Sequence, residues 1–283
     1  GWEGGGGGRA GQWGGRTGSK YDPVQTRGNP NDEDFKLDHL PLIANRETGI
    51  LRRRKRLLDQ VNGQVEYLNQ TDVARTLSAS QQRALDVMDS EAIRRAVDLS
   101  SEKDDGREAY GRTLFGQSVL LGRRLLEAGS RLVQCTWLRK QGKKGYAWDS
   151  HRENFEALRE DLIPPFDQVL HALITDLEET GQLEETLVVV AGEFGRTPKI
   201  NGNAGRDHYP GVYSLVMAGG GIQGGQVYGS SDSKGALPHD RPCRPEDIHA
   251  TIYDCLGISP RTVIHDVLDR PFPVSHGKIL PLT

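Results

Sequence analysis

Apolar residues recur at helical spacing through the first half of the chain and in short β-branched runs through the second. Leu51, Leu57, Leu58, Val61 and Val65 predict a helix beginning near Thr48. Ala84, Leu85, Met88, Ile93 and Ala96 predict a second over Ser80–Val97, and an acidic linker follows over Ser100–Asp105. Leu114, Val119, Leu120, Leu125 and Leu126 predict a third over Arg107–Ala128, with Gly129 as its stop. From Arg131 the period changes. Val133, Cys135 and Trp137 alternate as in a strand, and Gly142–Gly145 reads as a loop. Asn154–Thr180 carries a long apolar face that includes Phe155, Leu158, Leu162, Phe166, Val169, Leu173 and Leu177. Pro164 and Pro165 break or kink it. Leu187–Val190 reads as a buried central strand, Tyr213–Ala218 as another, and Gly225–Gly229 as strand or hairpin. Pro245–Leu256 has Pro in its first turn and Glu246 and Asp247 at its positive end, as a helix start favours. Strands alternating with helices predict a mainly parallel sheet covered on both faces. Residues 47–129 would then be a helical layer, and residues 130–283 the sheet and its loops.

Composition changes this picture in one place. Ten of the first 18 residues are Gly, and residues 1–46 are also rich in Asn, Asp and Pro, so they read as a surface loop or tail. A net charge of −3 leaves no basic footprint for nucleic acid. The run Arg52–Arg56 reads as a solvated helix face. No apolar stretch approaches the roughly 18 residues of a membrane span, and no signal peptide opens the chain. The chain begins with Gly in low-complexity sequence, which reads as a fragment with its true N-terminus missing. Cys135, Cys243 and Cys255 form no C-x-x-C pair, and an odd number argues against a disulfide framework.

Two glycine motifs promise more than they carry. Gly219-Gly220-Gly221-Ile222-Gln223-Gly224 fits G-x-G-x-x-G, but strand-like sequence follows where dinucleotide binding needs a helix. Gly116-Gln117-Ser118 lacks the second Gly of a nucleophile elbow and lies within a helical pattern. Cys243-Arg244-Pro245 lacks the Ser and Arg of a sulfatase signature and comes late in the chain.

Three polar clusters surround the central strand. Asp149-Ser150-His151 precedes the long helix, Gly192-Glu193-Phe194-Gly195-Arg196 closes the strand, and Gly205-Arg206-Asp207-His208 follows. Ligands of open α/β sheets bind at the carboxyl ends of strands, so these clusters suggest a metal site. Carboxylate plus imidazole suits Zn²⁺ or Mn²⁺. Asp149 and His151 would share a face if the backbone is extended there. An arginine fork such as Arg196 beside a metal suits a tetrahedral anion. Each cluster also has a plain structural reading. Asp149 or Ser150 would cap the helix near Asn154, Asp207 would shape a turn, and Glu193 would pair with Arg196.

Trp148-Asp149-Ser150-His151, the long helix, Leu187-Val188-Val189-Val190, Gly192-Glu193-Phe194-Gly195-Arg196-Thr197-Pro198 and Gly205-Arg206-Asp207-His208-Tyr209 together resemble the domain of unknown function 1501 family. That family is usually placed with the alkaline-phosphatase and sulfatase superfamily. The resemblance runs from about Ser19 to the C-terminus. It implies a three-layer α/β/α sandwich of alkaline-phosphatase-like type, lacking its N-terminal strand or strands, over residues 47–283.

The same resemblance implies a metal-dependent hydrolase of phosphate or sulfate esters. Asp149, His151 and His208 would hold one divalent ion (Zn, Mn, Ca or Mg). Glu193, with Asp207, would hold or neighbour a second, and Arg196 would steady a small anionic ester. Phe194 stands where the superfamily places a metal-binding His, and no superfamily nucleophile signature occurs in the chain. The alternative is an exported binding or structural protein that keeps the fold without turnover. Export signals of the family imply a periplasmic or secreted location. No protein partner is indicated.

Overall fold

The computed structural model describes residues 13–18, 21–26, 28–33, 35, 53, 57, 90–137 and 146–283. The helix expected from Thr48, the first part of that expected from Ser80, the Gly142–Gly145 loop and most of the Gly-rich segment lie outside these residues. The chain divides into two units whose segments interleave in sequence. The first takes Gly1–Arg107, Gln117–Cys135 and His265–Arg270; the second takes Glu108–Gly116, Thr136–Ile264 and Pro271–Thr283.

In the first unit, helix α1 (Glu91–Val97) starts at Ser90, whose hydroxyl accepts from the Ile93 amide. The single helix expected over Arg107–Ala128 is two: α2 (Asp104–Ala109) and α3 (Leu114–Glu127). Gly111, at φ 76°, makes the break, a conformation costly for any residue with a Cβ. The residues of α3 from Gln117 onward belong to the first unit. There Val119, Leu120 and Leu121 are buried, as are Ala96, Val97 and Leu99. Arg124 closes off the end of α1, donating to the carbonyls of Arg95, Ala96 and Asp98 and pairing with Glu102. Leu132–Trp137 forms no ladder, so the strand expected there is absent. The Cys135 Sγ lies 3.4 Å from the Ser118 carbonyl, and burial raises its thiol pKa to about 11, which makes it an inert packing residue. Gln117 is fully buried and exchanges hydrogen bonds with Arg107, which explains the Gly116-Gln117-Ser118 sequence without chemistry.

The second unit is built on the long helical stretch. It runs as α4 (Asn154–Glu156), a π-helical segment (Ala157–Leu162) and α5 (Ile163–Glu179). The kink expected from the prolines takes this form. Pro164 and Pro165 sit in the first turn of α5, where a missing N–H costs least, and the wider π turns absorb the mismatch just before them. Ala157, Leu162, Val169, Ala172 and Leu177 are buried along one side. Tyr110, almost wholly buried, donates to Asp176 near the far end.

Strand β1 (Val188–Ala191) follows, then β2 (Gly195–Arg196), β3 (His208–Tyr209) and β4 (Leu215–Ala218). The sheet is not the parallel one expected. β1 pairs antiparallel with β4, from Val188 opposite Ala218 to Ala191 opposite Leu215. β2 pairs antiparallel with β3, setting Arg196 opposite His208. β5 (Ser230–Ser231) pairs with β6 (Pro238–Asp240), downstream of the expected Gly225–Gly229 strand. The architecture is a mixture of helices and small sheets, consistent with the α/β class. The glycines at 219–221 form a turn after β4, with no helix at their end, so they are not a phosphate loop.

Helix α6 (Pro245–Cys255) starts after Arg244, whose amide donates to the Asp247 carboxylate and whose carbonyl accepts from the Asp247 amide. Thr251, fully buried on α6, donates to the Asp247 carbonyl and accepts from the Leu280 amide, which docks the C-terminal segment with Leu280 and Leu282 buried. Replacing Thr251 by Val keeps its shape but strands the Leu280 N–H. Thr251→Val is expected to cost about 1–3 kcal/mol in urea unfolding, with the denaturant slope unchanged.

Candidate metal centre

Two loops of the second unit meet here. The first, Trp148–Glu153, is anchored by Trp148, whose ring packs edge-on against Trp137 at 5.6 Å and Phe166 of α5 at 5.8 Å. The backbone then tightens twice, with Ser150 N–H donating to Trp148 O and His151 N–H to Asp149 O. The extended stretch expected to put Asp149 and His151 on one face is therefore a pair of three-residue turns. The side chains converge nonetheless: His151 Nε2 lies 3.1 Å from Asp149 Oδ1.

The second loop, Arg196–His208, is closed by the β2–β3 ladder and by Asn201. The Asn201 side-chain oxygen accepts from the amides of Asn203 and Gly205. Arg206 donates from its side chain to the Thr197 and Pro198 carbonyls, and from its amide to Ser150 O of the first loop. Gly205 is required where it sits. A Cβ there would lie 2.0 Å from the backbone carbon and oxygen of His151. The loops are thus in backbone contact at His151, and Asn203 and Ala204 carbonyls accept the first amides of the Glu153–Asn154 helix start.

This contact brings His208 of β3 to Asp149 and His151. His208 Nε2 is 2.8 Å from Asp149 Oδ1 and 3.2 Å from His151 Nε2. One ligand atom from each of the three residues thus faces a common point. A tetrahedral ion with bonds of about 2.0–2.1 Å separates its ligand atoms by about 3.3 Å, so the observed separations suit one such ion. Two imidazoles and one carboxylate favour a transition ion such as Zn²⁺ or Mn²⁺ over Ca²⁺ or Mg²⁺, which prefer all-oxygen shells. The side chains are 39–49% exposed, so the point they face opens to solvent.

Phe194 packs its ring on His208 at a centroid distance of 4.4 Å. Glu193 is not in the converging group. It lines a depression of about 350 Å³ with Val189, Leu215, Tyr213, His249 and Ile252, between β1–β4 and α6. Asp207 is not in the group either: its Oδ1 sits behind His151, 2.8 Å from Nδ1. Arg196 donates through Nη2 to Asp149 Oδ1 at 2.8 Å and to Trp148 O, and through Nη1 to Arg206 O. In this arrangement the Arg196 guanidinium braces the two loops. Among residues that periodicity and spacing did not single out, Asn201, Gly205 and Arg206 do most to hold the loops together. The local signal for Asn201 and Gly205 is the turn-forming run Asn201-Gly202-Asn203-Ala204-Gly205, and Arg206 follows it in the Gly205–Tyr209 motif.

Hydrogen bonds from His208 and Arg196 hold the Asp149 carboxyl well below the usual carboxylate range. Those from His151 and Asn201 lower that of Asp207. Both groups are therefore anionic and acceptors only at neutral pH.

Against known proteins, the chain matches the family described as Protein of unknown function (DUF1501) over residues 3–282. The chain belongs to this family. No curated protein and no solved structure matches it. Among the described residues no helix is long and apolar enough to cross a membrane.

A depressed carboxyl pKa contributes stability above the unfolded-state value of about 3.9 and loses it as pH falls through the folded-state value. The metal-free protein is therefore expected to lose stability progressively below about pH 4, and Asp149→Asn to show a shallower acid loss. Thermal unfolding across pH 2–7, in the presence of chelator, checks this. Parallel curves for the two proteins would remove Asp149 from the linkage.

Proposed function

We propose that the protein is a metal-dependent hydrolase of phosphate or sulfate esters, with Asp149, His151 and His208 as the residues that hold its ion. The observation that carries the reading is the solvent-facing convergence of Asp149 Oδ1, His151 Nε2 and His208 Nε2. A divalent ion there supplies Lewis acidity toward an ester oxygen and a water of lowered pKa. The chain's own residues support the anionic substrate class. The carboxylates of Asp149 and Asp207 and the guanidinium of Arg196 leave the cluster formally at about −1, and a divalent ion reverses that sign. Arg196, tied to Asp149, keeps a positive charge beside the centre. The three-layer sandwich, the superfamily placement and a periplasmic or secreted location, all implied by the sequence resemblance, belong to the same reading. Glu193 beside a second ion is its most distant element, because Glu193 lines a different depression.

One observation favours a second reading, a metal-holding protein without ester turnover. Phe194, at the position of a superfamily imidazole, covers one face of His208, which suits a single ion.

Metal titration decides the first part. Zn²⁺ or Mn²⁺ at about 100 times its dissociation constant is expected to stabilise the parent by roughly 2.7 kcal/mol. Asp149→Ala and His208→Ala are expected to lose that shift together, and His239→Ala to keep it. His208→Ala binding as tightly as the parent would sink the shared site. Release of product from aryl phosphate or aryl sulfate by the metal-loaded full-length protein, abolished by His208→Ala, separates the hydrolase from the second reading. Bound metal with no release leaves the second reading standing.

A further inference from the structure

Every ring nitrogen of His151 has a neighbour, and the two ends of the ring face different chemistry. Nε2 faces Asp149 Oδ1 and His208 Nε2. Nδ1 faces Asp207 Oδ1 at 2.8 Å. The two nitrogens of an imidazole diverge, so a group bonded at Nδ1 lies away from whatever Nε2 binds. Asp207 is thus poorly placed to share an ion with His151 Nε2.

The Asp207 side chain is itself held. Its amide donates to Thr197 Oγ1 and its carbonyl accepts from the Thr197 amide, so the backbone is pinned on both sides. Asn201 Nδ2 donates to Asp207 Oδ1 at 3.2 Å and to the His151 carbonyl at 3.0 Å. One amide group therefore spans the backbone of His151 and the carboxylate that meets its ring. Both ends of the ring face a carboxylate, but only Asp207 Oδ1 meets the ring in a hydrogen bond, at 2.8 Å from Nδ1. Asp149 Oδ1, 3.1 Å from Nε2, already accepts from Arg196 Nη2 and His208 Nε2, so the hydrogen of a neutral ring belongs on Nδ1.

We infer that Asp207, steadied by Asn201, is a positioning residue that fixes His151 as its Nδ1–H tautomer and so presents the Nε2 lone pair beside Asp149 Oδ1 and His208 Nε2. A carboxylate behind a histidine also raises the basicity of the nitrogen that faces a metal, and loss of such a partner typically weakens metal affinity 10–100-fold. The consequence for affinity rests on the metal reading above; the tautomer does not.

Two measurements on the full chain test it. Long-range ¹H–¹⁵N spectra of the metal-free protein at alkaline pH read the His151 tautomer directly. Nδ1–H is expected in the parent. In Asp207→Ala the ring is expected to shift toward Nε2–H, the tautomer an unconstrained imidazole prefers. Asp207→Asn keeps a carbonyl acceptor at nearly the same place and is expected to retain Nδ1–H. An Nε2–H ring in the parent, or no change in Asp207→Ala, overturns the inference.

Titration with Co²⁺ then reads the ion. Asp207→Ala is expected to bind it about 10–100-fold more weakly with an unchanged d–d spectrum, because the ligand set is intact, and Asp207→Asn to fall between. A changed spectrum in Asp207→Asn would make Asp207 a ligand and overturn the inference, as would parent-like affinity in Asp207→Ala. A parent that binds no Co²⁺ defeats the metal reading alone, and the tautomer measurement still decides the role of Asp207.

Discussion

Arg196 extends from the second residue of a two-residue strand and touches both loops of the candidate centre. One Nη reaches the Trp148 carbonyl and the Asp149 carboxylate, and the other reaches the Arg206 carbonyl. A planar guanidinium with several fixed donors can hold three acceptors in one geometry, which a lysine ammonium on a flexible stem does poorly. The rest of the site depends on this brace. With the loops joined there, His208, directly opposite Arg196 in the ladder, is brought to Asp149. The hydrogen bonds from His208 and Arg196 together hold the Asp149 carboxyl below the usual carboxylate range. A residue that sequence suggests for substrate is, in the folded protein, first a residue of assembly.

The brace works because the scaffold behind each loop is firm. Trp148 is wedged between Trp137 and Phe166, so the first loop, which leads into α4, starts from a packed aromatic cluster. The second loop adds to its ring contacts, Arg206 over Phe155 and His208 on Phe194, a set of side-chain to backbone bonds. Arg206 caps the carbonyls of Thr197 and Pro198, and Asn201 holds the turn over Asn203–Gly205. Gly205 then allows the loops to touch at a distance no other residue permits. Polar loops near the surface commonly gain order this way, since each buried or half-buried backbone group needs a partner.

The candidate centre was partly legible in the sequence. Asp149, His151 and His208 are ligand-type residues in loops flanking a buried strand, and the structure brings the three together. The reason first assigned to the Asp149/His151 pair does not hold, because tight turns rather than extended backbone unite them. Glu193 and Asp207 look equivalent as acids beside the same strand. The fold separates them, one to a depression against α6 and the other to the back of His151. Nothing in their local sequence distinguishes a ligand from a residue that orients one, since both are carboxylates in glycine-containing loops. Gly205 and Arg206 were visible as neighbours of Asp207 in a family motif but not as supports, and Asn201 was not singled out.

Local physics decided much of the remainder. Apolar spacing located the helices around α3, α5 and α6, and the prolines marked the place where the long helix changes to π turns, because a missing N–H and a fixed φ act within one turn of the chain. The sequence by itself therefore determined the helices around α3, α5 and α6, the β1 and β4 segments, the family and the set of candidate ligands. Only the tertiary structure decided that β1 and β4 pair antiparallel, that Leu132–Trp137 joins no ladder, and that β2 and β3 exist at all. Pairing depends on which backbone edges meet, and a two-residue strand has no periodicity to read. For the same reason the meeting of His151 and His208 was implied by the family resemblance but not by spacing: contacts between distant loops are set by the packing that closes them.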